Sequence, residues 1–208
     1  MMLVGGSISA QNHTTDSKKQ EAVTTAYNTP FSYSLDDSAD WQLKNDKGEI
    51  LNAGSGNISN IQFGTPGTYH LFINEKHKHV EGVCEHNQYP AQIDVTVSPD
   101  KMVFDFSTIK FSKNIMDGQS LNDVVMTVDV VYSSLQNKTF VYTDMMRTAG
   151  VGTSIIGKLK NGKTVLKPGL NKLEFLLSGA SSKGNNIMLD FRDTNGQVHS
   201  YTLTQKIK

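Results

Sequence analysis

A single cysteine, Cys84, stands in a chain of 208 residues, which excludes a disulfide framework within the chain. No run approaches the ~20 consecutive apolar residues of a membrane-crossing helix, so a helical transmembrane protein is excluded. Proline is scarce at 5, Trp41 is the one tryptophan, and charged residues make up only 19%. Low charge with plentiful Thr, Ser, Asn and Gly excludes a coiled coil and wholesale disorder. A 3.6-residue apolar period is missing too, so no amphipathic helix is expected. Catalytic signatures are also lacking: there is no Gly-x-Ser-x-Gly, no His-Glu-x-x-His and no Gly-rich phosphate loop between a strand and a helix. The reading is a non-enzyme without a cofactor.

Residues 1–10 are apolar and uncharged and end in Ser7-Ile8-Ser9-Ala10 before Gln11. Small residues in that pattern read as the end of a truncated secretory signal peptide. Ser9-Ala10-Gln11 resembles the signal junctions of Bacteroidetes exported proteins. The expected location is therefore periplasmic, cell-surface or secreted. Residues 11–28 are polar, rich in Thr, Lys and Gln, and without a usable apolar period. They are expected to form a flexible leader.

From Thr29 the period is two. Phe31 to Leu35 alternates, followed by Trp41 to Lys44, Glu49 to Leu51, Ile58 to Phe63, Tyr69 to Ile73 and Gln92 to Val97. Short strands every ~8–12 residues with turn signals between them predict an all-β sandwich over 29–99. After Ser98-Pro99 a second series runs from Met102 to Phe106 and Ile109 to Phe111. It continues through Val124 to Tyr132, Phe140 to Tyr142, Ser154 to Lys160, Lys163 to Lys167, Lys172 to Leu177, Asn186 to Arg192 and Val198 to Thr204. Asn161-Gly162, Pro168-Gly169, Lys183-Gly184 and Asn195-Gly196 are turn dipeptides, and Ser120 to Asp123 is read as a turn at most. The prediction is two tandem immunoglobulin-like antiparallel β-sandwich domains, 29–99 and 100–208.

Trp41 with Leu43, the Lys44-Asn45-Asp46-Lys47-Gly48 turn, Pro66-Gly67-Thr68-Tyr69 and the closing Val95-Thr96-Val97 resemble the PKD and related immunoglobulin-like domains of exported bacterial proteins. The resemblance implies that Tyr69 and alternate residues after it enter a sandwich core. In the second half, Gly150-Val151-Gly152, Asn161-Gly162, Leu166-Lys167-Pro168, Phe175, Ser178 and Asp193 to Val198 are similar to the TraQ family of Bacteroidetes conjugative transposons. That resemblance implies a conjugation role.

Three side-chain groups carry candidate chemistry. His77, His79, Cys84 and His86 combine imidazole and thiol at short spacing, as zinc or copper would require. The same segment also reads as a solvated connection between strands, and a lone exported Cys84 also invites cross-linking to a partner. Lys158, Lys160, Lys163 and Lys167 lie in a stretch without an acid between Asp144 and Glu174. If Asn161-Gly162 makes a two-residue hairpin, Lys160 opposes Lys163 and all four lysines share a face. That face either binds an anion or partner or guards a sheet edge against aggregation. Asp37-Ser38-Ala39 resembles the O-glycosylation acceptor of Bacteroidetes exported proteins, on Ser38. Asp36, Asp37 and Asp40 read as turn residues, since an EF-hand's glycine and terminal Glu are missing.

Charge is split along the chain. Residues 28–99 hold 4 Lys against 9 acids, a formal −5, and residues 100–208 hold 12 Lys and 2 Arg against 9 acids, a formal +5. A neutral total conceals two opposed units. The function read from these features is an exported, non-catalytic binding or structural protein of the bacterial cell envelope. It is expected to act as an accessory or assembly subunit of a surface machine through a protein partner or self-association. It has no specific nucleic acid to bind and is peripheral to a membrane at most. The alternatives are an adhesin-like or glycan-binding module, which needs an exposed aromatic platform, and a phage structural or decoration protein.

Overall fold

The structure, a computed structural model, describes residues 20–76, 89–113, 115, 120–150, 152–180 and 187–203. Among them every regular element is a strand. In chain order these are β1 Gln20–Ala26, β2 Pro30–Tyr33, β3 Ala39–Asn45, β4 Ile50–Ser55, β5 Ile58–Gln62, β6 Gly67–Glu75, β7 Gln92–Ser98 and β8 Asp100–Phe111. There follow β9 Ser120–Ser134, β10 Phe140–Tyr142, β11 Met146–Ala149, β12 Ile156–Leu159, β13 Thr164–Leu166, β14 Gly169–Ala180, β15 Ile187–Arg192 and β16 Val198–Leu203.

The first strands form a five-stranded sheet in the order β1-β7-β6-β3-β4 and a two-stranded ribbon of β2 and β5. Period two explains the packing. Trp41, Leu43, Leu71, Ile73, Ile93, Val95 and Val97 turn to one face of the sheet and meet Phe31, Ile58 and Phe63 in one buried cluster. Phe63 lies between Phe31, at 5.9 Å, and Tyr69, at 4.6 Å between ring centroids. Burying each such Leu, Ile or Phe is worth ~1.5–3 kcal/mol. The arrangement is sandwich-like, and the strand opened by Gly67 sends Leu71 and Ile73 into its core, while Tyr69, expected there too, is only half-buried at its margin.

One strand departs from the expected leader. Residues 20–26 are β1, paired in parallel with β7 from Gln20↔Gln92 to Ala26↔Ser98. Polarity concealed it, because only Val23, Thr25 and Ala26 turn toward the core. Residues 11–19 lie outside the described residues. The same pairing makes the first sheet mixed rather than wholly antiparallel.

The later strands form a seven-stranded sheet, β16-β15-β11-β12-β14-β9-β8, and a two-stranded one, β10 with β13. Their core is separate from the first in sequence and runs from Met102 to Leu203. Phe191 sits at its centre, 5.2 Å from Phe104 and 5.9 Å from Phe175. Ser120 to Asp123 is not a turn but the start of β9. The alternation slips there, with Leu121 and Val124 buried, Asp123 at φ 57°, and the register against β14 shifted between Leu177 and Gly179. A bulge of this kind lets one long strand serve two stretches of core.

Pro99 alone separates β7 from β8. Hydrogen bonds cross beside it: Tyr27 Oη donates to Ser133 Oγ at 3.1 Å, Gln197 Nε2 to the Thr24 carbonyl at 2.7 Å, and Lys101 Nζ to the Asn28 carbonyl at 3.1 Å.

Buried phenols make the fold sensitive to alkali. Tyr142 is fully buried, its hydroxyl donating to the Arg192 carbonyl at 2.8 Å. Burial, then the carboxylates of Asp144 and Asp193, hold its ionisation far above the ordinary range. Tyr33 is pushed up to about 12, first by burial and then by Glu21. An unfolded tyrosine ionises near ~10. The unfolded chain therefore loses these protons first, and stability present below ~10 is lost as pH rises through the folded values. The thermal midpoint is expected to decline above about pH 10, and Tyr142→Phe should make that decline shallower. A decline of unchanged slope in the variant would remove Tyr142 as its source.

Candidate functional site

Side chains that do not enter the first core line the outer face of the five-stranded sheet. Register places Ser55, Asp40 and Asn74 in one row across β4, β3 and β6. The next row holds Ala53, Gln42, Phe72 and Gln92, and the third holds Lys44, His70 and Asp94. These rows carry a concavity of about 630 Å³ lined by Asp40, Gln42, Phe72, Asn74 and Gln92, with Trp41, Ile73 and Ala91 between them. That volume falls in the ~300–1,000 Å³ class of small-molecule sites.

Charges on this face are matched at its edges. Lys76 Nζ lies 2.7 Å from Asp40 Oδ1, and Ser55 also donates to that carboxylate. The Lys76 hydrogen bond, then that of Ser55, holds the Asp40 carboxyl below its usual range. His70 Nδ1 lies 2.7 Å from Asp94 Oδ1, which also accepts from Gln92 Nε2 at 2.7 Å. Lys44 Nζ sits 4.9 Å from the centroid of the Phe72 ring, within cation–π range. Phe72 itself is 37% exposed. Trp41, by contrast, is buried in the core.

The four lysines are not brought onto one face. Gly162 N donates to the Leu159 carbonyl and Lys160 N to the Glu174 carbonyl, so β12 continues against β14 rather than against β13. The Asn161-Gly162 turn carries the chain from the seven-stranded sheet to the sheet of β10 and β13. Leu159 and Leu166 enter the same core from these two sheets. Lys158 and Lys160 therefore stand on the outer face of one sheet, and Lys163 and Lys167 flank β13 in the other. The hairpin that would oppose Lys160 to Lys163 is absent. β12 lies between β11 and β14, but β11 pairs only Ile156 and Gly157. Among the described residues no strand covers the β11 side of Lys158 and Lys160, so the edge-guarding reading still applies there. Lys160 faces Glu174 at 3.4 Å, while Lys158 is opposite the exposed Leu176.

Ser38 is half-buried in the turn before β3, its carbonyl accepting from Lys76 N at 3.0 Å. His77, His79, Cys84 and His86 lie outside the described residues. Among the described residues no group of three His, Cys, Asp or Glu side chains is placed to hold a metal ion. Sequence reasoning missed Gln42, Phe72, Asn74 and Gln92, because isolated amides on alternate strand positions form no motif. One signal was present: in Tyr69 to Ile73, Phe72 is the bulky apolar residue at an outward position.

No protein-family model and no curated protein matches the sequence. Among solved structures the chain is similar to domains 4 and 5 of the S-layer protein SbsC, at 12% identity and a TM-score of 0.22, over 77% of this chain and 97% of that one.

Proposed function

We propose that this is an exported, non-catalytic binding or structural protein of the bacterial cell envelope. In this reading two tandem immunoglobulin-like sandwiches, 29–99 with β1 added before it and 100–208, act as one accessory or assembly subunit of a surface machine, with conjugation the version implied by the TraQ resemblance. The observation that carries the proposal is the junction. One residue, Pro99, joins the units, and hydrogen bonds from Tyr27, Gln197 and Lys101 brace it. A short braced junction fixes the spacing of two oppositely charged units, which suits head-to-tail contact between copies.

The docking face we assign is that of Lys158 and Lys160, where Ile156 and Leu176 are exposed beside the cations. Sedimentation at low and high salt tests this, because exposed charges are screened beyond ~8 Å at physiological ionic strength. Oligomers are expected at low salt, weakened about tenfold by the Lys158→Gln, Lys160→Gln double variant, a change equivalent to ~1.4 kcal/mol. The corresponding change at Lys163 and Lys167 should have little effect. A monomer at every salt concentration overturns the self-association reading.

A further inference from the structure

We infer that the concavity on the outer face of the five-stranded sheet is a binding site for a neutral saccharide, with Phe72 as its apolar platform and Gln42 and Asn74 as its hydrogen-bonding wall. This goes beyond the assembly reading and does not depend on it, since the two concern different sheets.

The ligand class follows from the lining. A sugar ring presents C–H groups on its faces and hydroxyls, each both donor and acceptor, around its rim. A primary amide matches that rim, because it offers two N–H donors and a carbonyl acceptor on one planar group. Two exposed amides, Gln42 and Asn74, stand here on adjacent strands, while the half-buried Gln92 has its Nε2 engaged by Asp94 and adds only its carbonyl as an acceptor. Phe72, beside Gln42 and Gln92 in its row, supplies an apolar surface that a sugar ring can use by taking the place of the Lys44 ammonium over it or by lying on the opposite ring face.

Charge argues for neutrality of the ligand. Asp40 is satisfied by Lys76 and Ser55, and Asp94 by His70 and Gln92, so the acids of this face already have partners. Lys44, over the Phe72 ring, is the cation that an acidic ligand would use, which titration with a charged oligosaccharide tests. Strands fix these groups better than loops do, and a site held by rigid elements loses less on binding. The aromatic platform that a glycan-binding module requires is thus Phe72, while Trp41 serves the core.

Isothermal titration calorimetry of the full chain tests the assignment, with neutral gluco-, manno- and xylo-oligosaccharides as probes and an oligogalacturonate as the charged comparison. At least one neutral series is expected to bind at ligand concentrations up to about 5 mM, the weak-affinity range of a small polar ligand. Phe72→Ala should weaken it about tenfold or more, and Gln42→Ala or Asn74→Ala about three- to tenfold, the range of one lost neutral hydrogen bond. Each position is exposed, so thermal midpoints near that of the native chain will show that folding is retained. Absence of heat with every neutral series overturns the assignment. So does binding that survives Phe72→Ala unchanged, or binding of oligogalacturonate alone that depends on Lys44 and not on Gln42.

Discussion

Gly179→Ala is expected to destabilise the protein by about 4 kcal/mol, combining backbone strain with overpacking. Gly179 lies in β14 at the register shift against β9, at φ 107°, a conformation that L side chains rarely adopt. A methyl group there would run into the backbone of Ser154, 2.7 Å from its carbonyl carbon and 2.9 Å from the Cα of Ile155. Ser154 cannot retreat freely, because its N–H donates to the Ala180 carbonyl and its Oγ accepts from Ala180 N. The clash is thus between two backbones already tied together. Gly162→Ala is the control. Gly162 has φ 72° but nothing within 4 Å of a Cβ, so only the conformational cost of ~1–2 kcal/mol applies. Chemical denaturation of both variants measures the difference, and equal losses would mean that the close approach at Ser154 has no energetic weight.

Asp193→Ala is expected to remove about 2–4 kcal/mol and to loosen the junction as well, since it strips a nearly buried acceptor from several donors. Asp193 is 7% exposed, and its carboxylate accepts from Asn195 N at 2.8 Å and Gln197 N at 2.9 Å, with His199 Nε2 at 3.1 Å. Those bonds set the turn between β15 and β16. The turn in turn aims Asn195 Nδ2 at the Asp100 carbonyl and Gln197 Nε2 at the Thr24 carbonyl. One carboxylate thus organises a hairpin end that grips β1. Asp193→Asn retains one acceptor oxygen and should recover part of the loss. Hydrogen exchange should accelerate at the Asn195 and Gln197 amides and around Pro99. Acceleration confined to the turn would show that the grip on β1 does not depend on Asp193.

The strands were legible where alternation was strong. Val124 to Tyr132 and Gln92 to Val97 place a β-branched or large apolar residue inward at nearly every second position, and both are strands here. Weak alternation hid β1, whose inward residues include Thr25, and β11, where Met146 alone is buried. Pairing was less legible than strand existence. Asn161-Gly162 has hairpin chemistry, yet β12 finds its partner in β14, with Leu159 opposite Phe175, because Leu159 and Leu166 are needed on opposite sides of one core. Nothing local in the sequence encodes that choice. The concavity at Phe72 was illegible for a related reason: Gln42, Phe72 and Gln92 are neighbours only after β3, β6 and β7 are set in register.

The parallel pairing of β1 with β7 also determines how the chain bears tension. Their seven register pairs start together at Gln20 and Gln92 and end together at Ala26 and Ser98. A pull on Gln20 opposed by a pull through Pro99 drags these two strands past one another along their own axes. All seven pairs then resist in shear at once, whereas an antiparallel hairpin pulled at its open end unzips one pair at a time. The strand easiest to overlook in the sequence is therefore placed as the mechanical latch of the first sheet.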